Sequence, residues 1–266
     1  FQAFIQNDQK GMVCQGEIIH SSSKIMTRVI RIFHYGPLKE KGDELDIDPT
    51  ESHHLSKVLR RTVGDPIEIL NGQGARAEAE CISVNERKVT VRILGVRQHM
   101  KEKPSLRMVV AMTKGGRWED LVKPLTELGA DRITPIFTDR TQIKEGGVGF
   151  VKKIKKYERL GVEACKQSGN PWLPQIDQPL NFADYLSGSP KSILVASLAQ
   201  NKRPLQIDMK LSSVDIMIGP EGGWTEIEEH SLRESGAKFF TLGKHTLRTE
   251  TAALTALAVA RSHFLD

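Results

Sequence analysis

The run VDIMIGPEGGWTEIEE, residues 214–229, decides the fold class. VDIMI, β-branched and apolar apart from Asp215, has strand character, and Gly219-Pro220-Glu221-Gly222-Gly223 reads as a turn. Thr225 with Glu228 three residues on has the capping-box spacing that opens a helix. A strand that ends in a glycine-rich turn at a helix start is the repeating unit of an open parallel sheet. Ligands bind such sheets at the carboxyl ends of the strands, where glycines let backbone come close and its N–H groups are free. The purely structural reading, a tight turn that needs positive φ, applies equally to a single such loop. The run is neither GxGxxG nor GxxxxGK[ST], so a Rossmann dinucleotide site and a Walker phosphate loop both lose support.

Moving outward, FFTLG (239–243) ends a second strand, and Lys244-His245-Thr246-Leu247-Arg248 leads to Thr249-Glu250-Thr251. Thr249 is the expected N-cap of the next helix, and Glu250 suits its positive end. Two neighbouring strand-end loops of this kind can enclose one ligand. The helix TAALTALAVA (251–260) is apolar on nearly every side, which requires burial within the monomer or against a second subunit, and the sequence leaves both open. Upstream, strand-like LRMVVAMT, RITPIFT and KSILVAS alternate with helix-like GRWEDLVKPLTELGA, FVKKIKKYERLGVEACKQSG and TEIEEHSLRESGA. This alternation predicts an α/β domain with a mainly parallel sheet over residues 105–266.

The charged segment MKEKPS (100–105) contains Pro104 and separates two rhythms, so the domain boundary is placed there. Before it, residues 29–100 show short β-like runs (VIRIF, PIEILNG, ARAEAECISV, KVTVRILGV) with turns at Asn71-Gly72 and Asn85-Glu86, the pattern of a small barrel of five or six strands. One amphipathic helix, SHHLSKVLRRT (52–62), interrupts them, with Leu55, Val58 and Leu59 on one face and basic residues mostly elsewhere. Residues 1–28 have neither a basic start followed by an apolar core nor an Arg-rich amphipathic pattern. They read as an extension outside the fold rather than a targeting peptide, with Met26 as a natural start.

Two domains also suit the length of 266 residues. No window approaches the ~20 apolar residues of a membrane span. Cys14, Cys81 and Cys165 are far apart, without CxxC pairs or His/Cys clusters, which argues against a disulfide framework or a zinc site and for a reducing, cytoplasmic compartment. The net charge of +5 is spread: Lys plus Arg against Asp plus Glu is 16 to 14 in residues 1–103, leaving 22 to 19 beyond. Nucleic acid is a candidate partner through a local patch, and a mildly basic soluble protein is the alternative.

The runs IGPEGGWTEIE and LGKHTLRTETAALTALA together resemble the signature of the SPOUT-type methyltransferases of the RsmE family, which act on uracil N3 of 16S ribosomal RNA. RIFHYGPL, HHLSKVLRRTVGDPIEILNGQG, TKGGRWEDLVKPLTELGADRITPIFTDRT and EACKQSGNPWLP extend the resemblance in order from about Arg31 to the C-terminus. It implies an N-terminal PUA-like RNA-binding β-barrel, a C-terminal SPOUT domain with a trefoil knot, S-adenosylmethionine as methyl donor, an obligate homodimer and no metal. The knot follows from the resemblance alone, since general rules would draw an unthreaded sheet. Cofactor contacts carry over to Leu198, Gly219, Glu221, Gly222, Gly223, Leu242, Gly243, Leu247 and Arg248. Arg248 is the candidate to stabilise charge on the substrate, and Glu221 or Glu250 the candidate base.

Expected RNA contacts are Arg31, His54, Arg60 and Arg61 in the first domain, Lys114, Arg117 and Arg140 at strand ends, and Lys152, Lys153 and Lys156 on the helix at 150–169. On that helix Phe150, Val151, Ile154, Tyr157, Leu160 and Ala164 can turn inward, while Lys155, Arg159 and Lys166 join the basic outer face, which is otherwise a solvated surface. His53 and His54 have no metal partners at ligand spacing. Asn170 departs from the family, which often has arginine there, and any role of that arginine is in doubt. The substrate is then small-subunit ribosomal RNA, bare or in the assembled subunit. The rival is a non-catalytic RNA-binding dimer whose SPOUT domain has degenerated, against which the intact GPEGG and LRTET runs weigh.

Overall fold

The computed structural model describes residues 29–113, 118–141, 147–188, 190, 192–198 and 203–265, with the backbone alone over 147–152. The first sheet has five strands in the order β1-β3-β4-β5-β2: β1 Arg31–Phe33, β2 Glu44–Asp46, β3 Pro66–Leu70, β4 Ala75–Val84 and β5 Val89–Gln98. Alternation decides which side faces in. Ala77, Ala79 and Cys81 of β4 and Val89, Val91 and Ile93 of β5 are buried, and Ile32 and Leu45 from the two edge strands join the same core, so the sheet coils around it. Both expected turns form around asparagine: the Asn71 Oδ1 accepts from the N–H groups of Gln73 and Ala75 at 2.9 Å, and the Asn85 Oδ1 from that of Lys88 at 2.9 Å.

The helix expected at 52–62 starts earlier. α1 spans Pro49–His53 with Asp48 as N-cap, and the chain continues through one wide π turn, His54–Val58, in which the Leu59 N–H donates to the His54 carbonyl. The extra residue in that turn shifts the phase, so Leu55 is buried while Val58, placed on the same face by a regular helical period, is 61% exposed.

The second sheet is parallel throughout, in the order β12-β10-β11-β6-β7-β8, with β9 also on β7. Its strands are β6 Ser105–Ala111, β7 Arg132–Phe137, β8 Gln175–Ile176, β9 Leu180–Asn181, β10 Ile193–Ala196, β11 Ser213–Ile218 and β12 Lys238–Phe240. The helices are α2 Glu119–Glu127, α3 Gly147–Ser168, α4 Phe182–Ser187, α5 Glu226–Glu234 and α6 Thr249–Ser262. β6 and β11 are central and covered on both faces, which is why they read as mostly apolar runs, interrupted only by Arg107 and Asp215, which pair across the two strands at 3.4 Å. Leu106, Met108, Val110, Ile216 and Ile218 pack with α2 and α6 on one face; Val109, Ala111 and Met217 pack with Tyr185 and Leu232 on the other. β11 lies between β10 and β6; the chain then crosses β10 to lay β12 on its far side and returns to pack α6 on β6 and β11. α6 therefore buries Ala252, Ala253, Ala256, Leu257 and Ala260 within the monomer. The short elements β2, β8, β9 and α4 carry too few residues to show a period in the sequence.

α3 joins the two units. It packs on α2 and on β1, and Phe33, Leu70, Val162 and Cys165 form one apolar seam. Arg31 bonds Glu68 at 2.6 Å and donates to the carbonyls of Lys166 and Gln167 at the end of α3. Lys166, expected on the outer face, instead pairs with Glu51 of α1 at 2.5 Å.

Candidate functional site

The two loops that opened the sequence argument meet at the carboxyl ends of β10, β11 and β12 and enclose a cavity of about 290 Å³. Its polar and small-residue walls come from Gly219–Glu221 after β11, Ala196–Leu198 after β10 and Thr241–Gly243 after β12. His245 to Leu247, Thr249 and Ala252 close it from the side of α6.

Local chemistry fixes each wall. The capping box forms as its spacing required: the Thr225 hydroxyl accepts from the Glu228 N–H, and the Glu228 carboxylate accepts from the Thr225 N–H at 2.8 Å. Glu228 is buried, and its other oxygen accepts from the Asp139 N–H at 2.9 Å, which ties the loop after β7 to the turn after β11. Arg140 then donates to the carbonyls of Gly222 at 2.8 Å and Trp224 at 3.2 Å. Gly223 sits at φ 70°, a conformation that glycine adopts without strain. Thr249, the expected N-cap of α6, is instead its first residue. Arg248 takes the cap position without a side-chain cap, and the Thr249 hydroxyl donates to the Gly219 carbonyl at 3.1 Å, stitching the two loops together.

Of the expected cofactor residues, Leu198, Gly219, Glu221, Gly223, Leu242, Gly243 and Leu247 line the cavity. Gly222 and Arg248 do not. A Cβ on Gly222 would meet the Arg140 Cβ and Cδ at 3.3 Å, so this glycine faces the arginine stem. Arg248 is exposed between two lining residues; its backbone carbonyl accepts from the Ala252 N–H at 2.8 Å, while its guanidinium has no hydrogen bond or ion pair with a described residue. Glu250 follows Thr249, and both its carboxylate oxygens are shut off from solvent without a hydrogen-bond partner among the described residues.

Trp224 is the wall residue that sequence reasoning passed over. It is 7% exposed, its indole N–H donates to the Ala196 carbonyl at 3.1 Å, and it fills the space beside Gly219. Its position directly after GPEGG was the available signal. His245, Thr246 and Glu229 were missed in the same way, because only the folded loops bring them to the cavity.

The expected RNA contacts scatter. Arg31 is committed to the seam between the units and Arg140 to bracing the site. Lys156 pairs with Glu119. Arg61 lies 3.8 Å from Asp65; Arg60, at φ 51°, is exposed, and His54 is half-buried. Lys153 is exposed. Lys114, Arg117 and the side chain of Lys152 lie outside the described residues.

The cavity thus offers glycine backbone, an indole, small apolar side chains and a carboxylate rim, the surroundings of a flat heterocycle with a charged appendage. No helix among the described residues is long and apolar enough to cross a membrane.

The family models that match describe an RNA methyltransferase domain over residues 101–261 and an RNA methyltransferase PUA domain over residues 47–94. The chain is 31% identical over 214 residues to ribosomal RNA small subunit methyltransferase E of Synechocystis sp., an alignment covering 77% of this chain and 69% of that protein. Among solved structures it is similar to a methyltransferase of Legionella pneumophila in complex with SAM, with TM-score 0.74, 29% identity and coverage of 89% of this chain and 98% of that one. It is likewise similar to a ribosomal RNA small subunit methyltransferase E of Neisseria gonorrhoeae bound to S-adenosyl methionine, with TM-score 0.79, 26% identity and coverage of 88% and 98%.

Proposed function

The chain belongs to the RNA methyltransferase family whose members include ribosomal RNA small subunit methyltransferase E, and from this we propose that it methylates N3 of a uridine in small-subunit ribosomal RNA, using S-adenosylmethionine. The observation that carries the reading is the cavity that GPEGG and the LRTET loop build together at the strand ends.

The residues present fit the cofactor. Gly219 lets backbone pass close to the Trp224 ring, where any Cβ would collide, and Leu198, Leu242 and Leu247 supply apolar wall. Glu221 at the rim suits a cationic group. When bound, S-adenosylmethionine supplies an already activated methyl group, so the protein's task is alignment and proton handling. Uracil N3 carries a proton at neutral pH, and its loss spreads negative charge over N3 and the flanking carbonyl oxygens. Arg248, whose guanidinium has no partner among the described residues, is the donor for that charge. Of the two candidate proton acceptors, Glu221 lines the cavity and is exposed to a bound base. Glu250 stands one residue beyond the cavity wall, with both carboxylate oxygens shut off from solvent and without a hydrogen-bond partner among the described residues. Such a substrate is met in the cytoplasm, where ribosomal subunits are made.

Incubation with unmethylated small ribosomal subunits and labelled cofactor, followed by digestion and mass spectrometry, is expected to give N3-methyluridine. Binding of the subunits without methyl transfer would favour the non-catalytic reading instead.

The same reading makes the protein a homodimer. α6 spends one face on the sheet and leaves Ala258 exposed and Leu254 and Val259 only partly covered, apolar surface suited to a second copy. Light scattering should return twice the chain mass of 29.7 kDa at micromolar concentration. A monomer that still methylates RNA would end the dimer reading.

A further inference from the structure

Tyr35, two residues beyond β1, is 72% exposed and is the only aromatic among the exposed large hydrophobic residues of the described chain. Its ring is fixed from below. Phe33 meets it edge-on at 5.0 Å and 65°, and Phe33 is itself buried in the seam with Leu70, Val162 and Cys165. The backbone is pinned on both sides, by the His34 N–H to the Leu70 carbonyl at 2.9 Å and by the Asn71 amide to the Gly36 carbonyl at 3.3 Å. A ring on a rigid support with an open side is a stacking surface held ready, without the ordering cost of a loose loop.

Its surroundings connect it to the site. The chain runs from cavity-lining Arg140 into α3, whose exposed cations include Lys153, Lys155 and Arg159, and Arg159 acts on the Tyr35 hydroxyl. From Gly147 to Arg159 the helix advances about 18 Å. Three carboxylates also face that hydroxyl. Asp48 is spent capping α1, Glu51 is paired with Lys166, and Glu158 faces solvent. None opposes a neutral base lying on the ring.

We propose that Tyr35 stacks on an unpaired RNA base flanking the target uridine, with Lys153, Lys155 and Arg159 holding the phosphates between. This rests on the reading of the chain as a ribosomal RNA methyltransferase. A base can reach an enclosed pocket only when unstacked from its strand, so the strand beside it must be gripped elsewhere, and aromatic faces grip unpaired bases irrespective of sequence.

The test is methyl transfer to unmethylated small ribosomal subunits. Tyr35→Ala should raise KM for subunits about 10-fold, the worth of one stacked base, while kcat at saturation and cofactor affinity hold. Tyr35→Phe and Tyr35→Trp should restore KM, and Tyr35→Leu should not. The slope of log kcat/KM against log salt should match wild type in Tyr35→Ala and flatten in the Lys153→Ala, Lys155→Ala, Arg159→Ala triple variant, since only phosphate contacts release counterions. An unchanged KM in Tyr35→Ala overturns the proposal. So does full rescue by leucine, which would mark an apolar contact with a ribosomal protein. Wild-type protein that transfers no methyl group overturns the functional reading first, and this inference with it.

Discussion

Replacing Arg248 with alanine is expected to slow methyl transfer by about 10²-fold or more while cofactor affinity falls only a few-fold. The difference follows from where the residue sits. Leu247 and Thr249 line the cavity, whereas Arg248 stands at the cap of α6, exposed and without a described partner. A guanidinium left unpaired has its donors available for a developing anion. The anion on uracil forms along the reaction coordinate, so the interaction strengthens toward the transition state and appears in the rate rather than in ground-state binding. Single-turnover rates at saturating cofactor and RNA decide the matter. Rates within a few-fold of wild type would remove Arg248 from the chemistry, and an equal loss in cofactor affinity would reassign it to the cavity wall.

Gly219→Val is expected to weaken S-adenosylmethionine binding about 5- to 150-fold, as follows from an overpacking cost of ~1–3 kcal/mol. A Cβ at this position would stand 2.9 Å from Trp224 Cε2, closer than packed atoms tolerate, and 3.1 Å from its Nε1, tighter than most packed contacts. The indole must then move, and with it the hydrogen bond to the Ala196 carbonyl and the wall it forms. Gly222→Ala provides the contrast. Its Cβ meets only the flexible stem of Arg140 at 3.3 Å, so cofactor affinity should stay close to wild type. Calorimetry with both variants, after circular dichroism has shown them folded, separates the two glycines. Wild-type affinity in Gly219→Val would place the cofactor elsewhere.

The two glycines also show what a sequence can reveal about a site. GPEGG marks a loop where backbone approaches something closely, but the letters do not say which glycine faces the ligand and which faces a neighbouring arginine. That depends on Arg140, 82 residues away in the chain. The basic residues make the same point. Arg31, Arg140, Lys156 and Lys166 look alike as charges, yet each is used by a partner that only folding brings near: Glu68, the Gly222 carbonyl, Glu119 and Glu51. Tyr35 reads as part of an ordinary strand end until Phe33 is seen holding its ring.

The sequence by itself determined what local physics controls. The mostly apolar runs of β6 and β11 follow from strands covered on both faces, and the asparagine turns at Asn71 and Asn85 from side chains that bond their own backbone. The capping box at Thr225 and Glu228 follows from a spacing of one helical turn. The tertiary structure decided everything that depends on contacts between distant segments. The chain crosses β10 before returning, so the GPEGG and LRTET loops close one cavity. That crossing packs α6 on its own sheet, accounting for much of its apolar surface. The π turn after His53 exposes Val58 against its helical period, and the Thr249 hydroxyl bonds a carbonyl 30 residues away instead of capping its own helix. Hydrogen-bond spacing within a few residues is written in the order of the chain, whereas the partner of a buried polar group or a bare glycine face is set by which segments pack together.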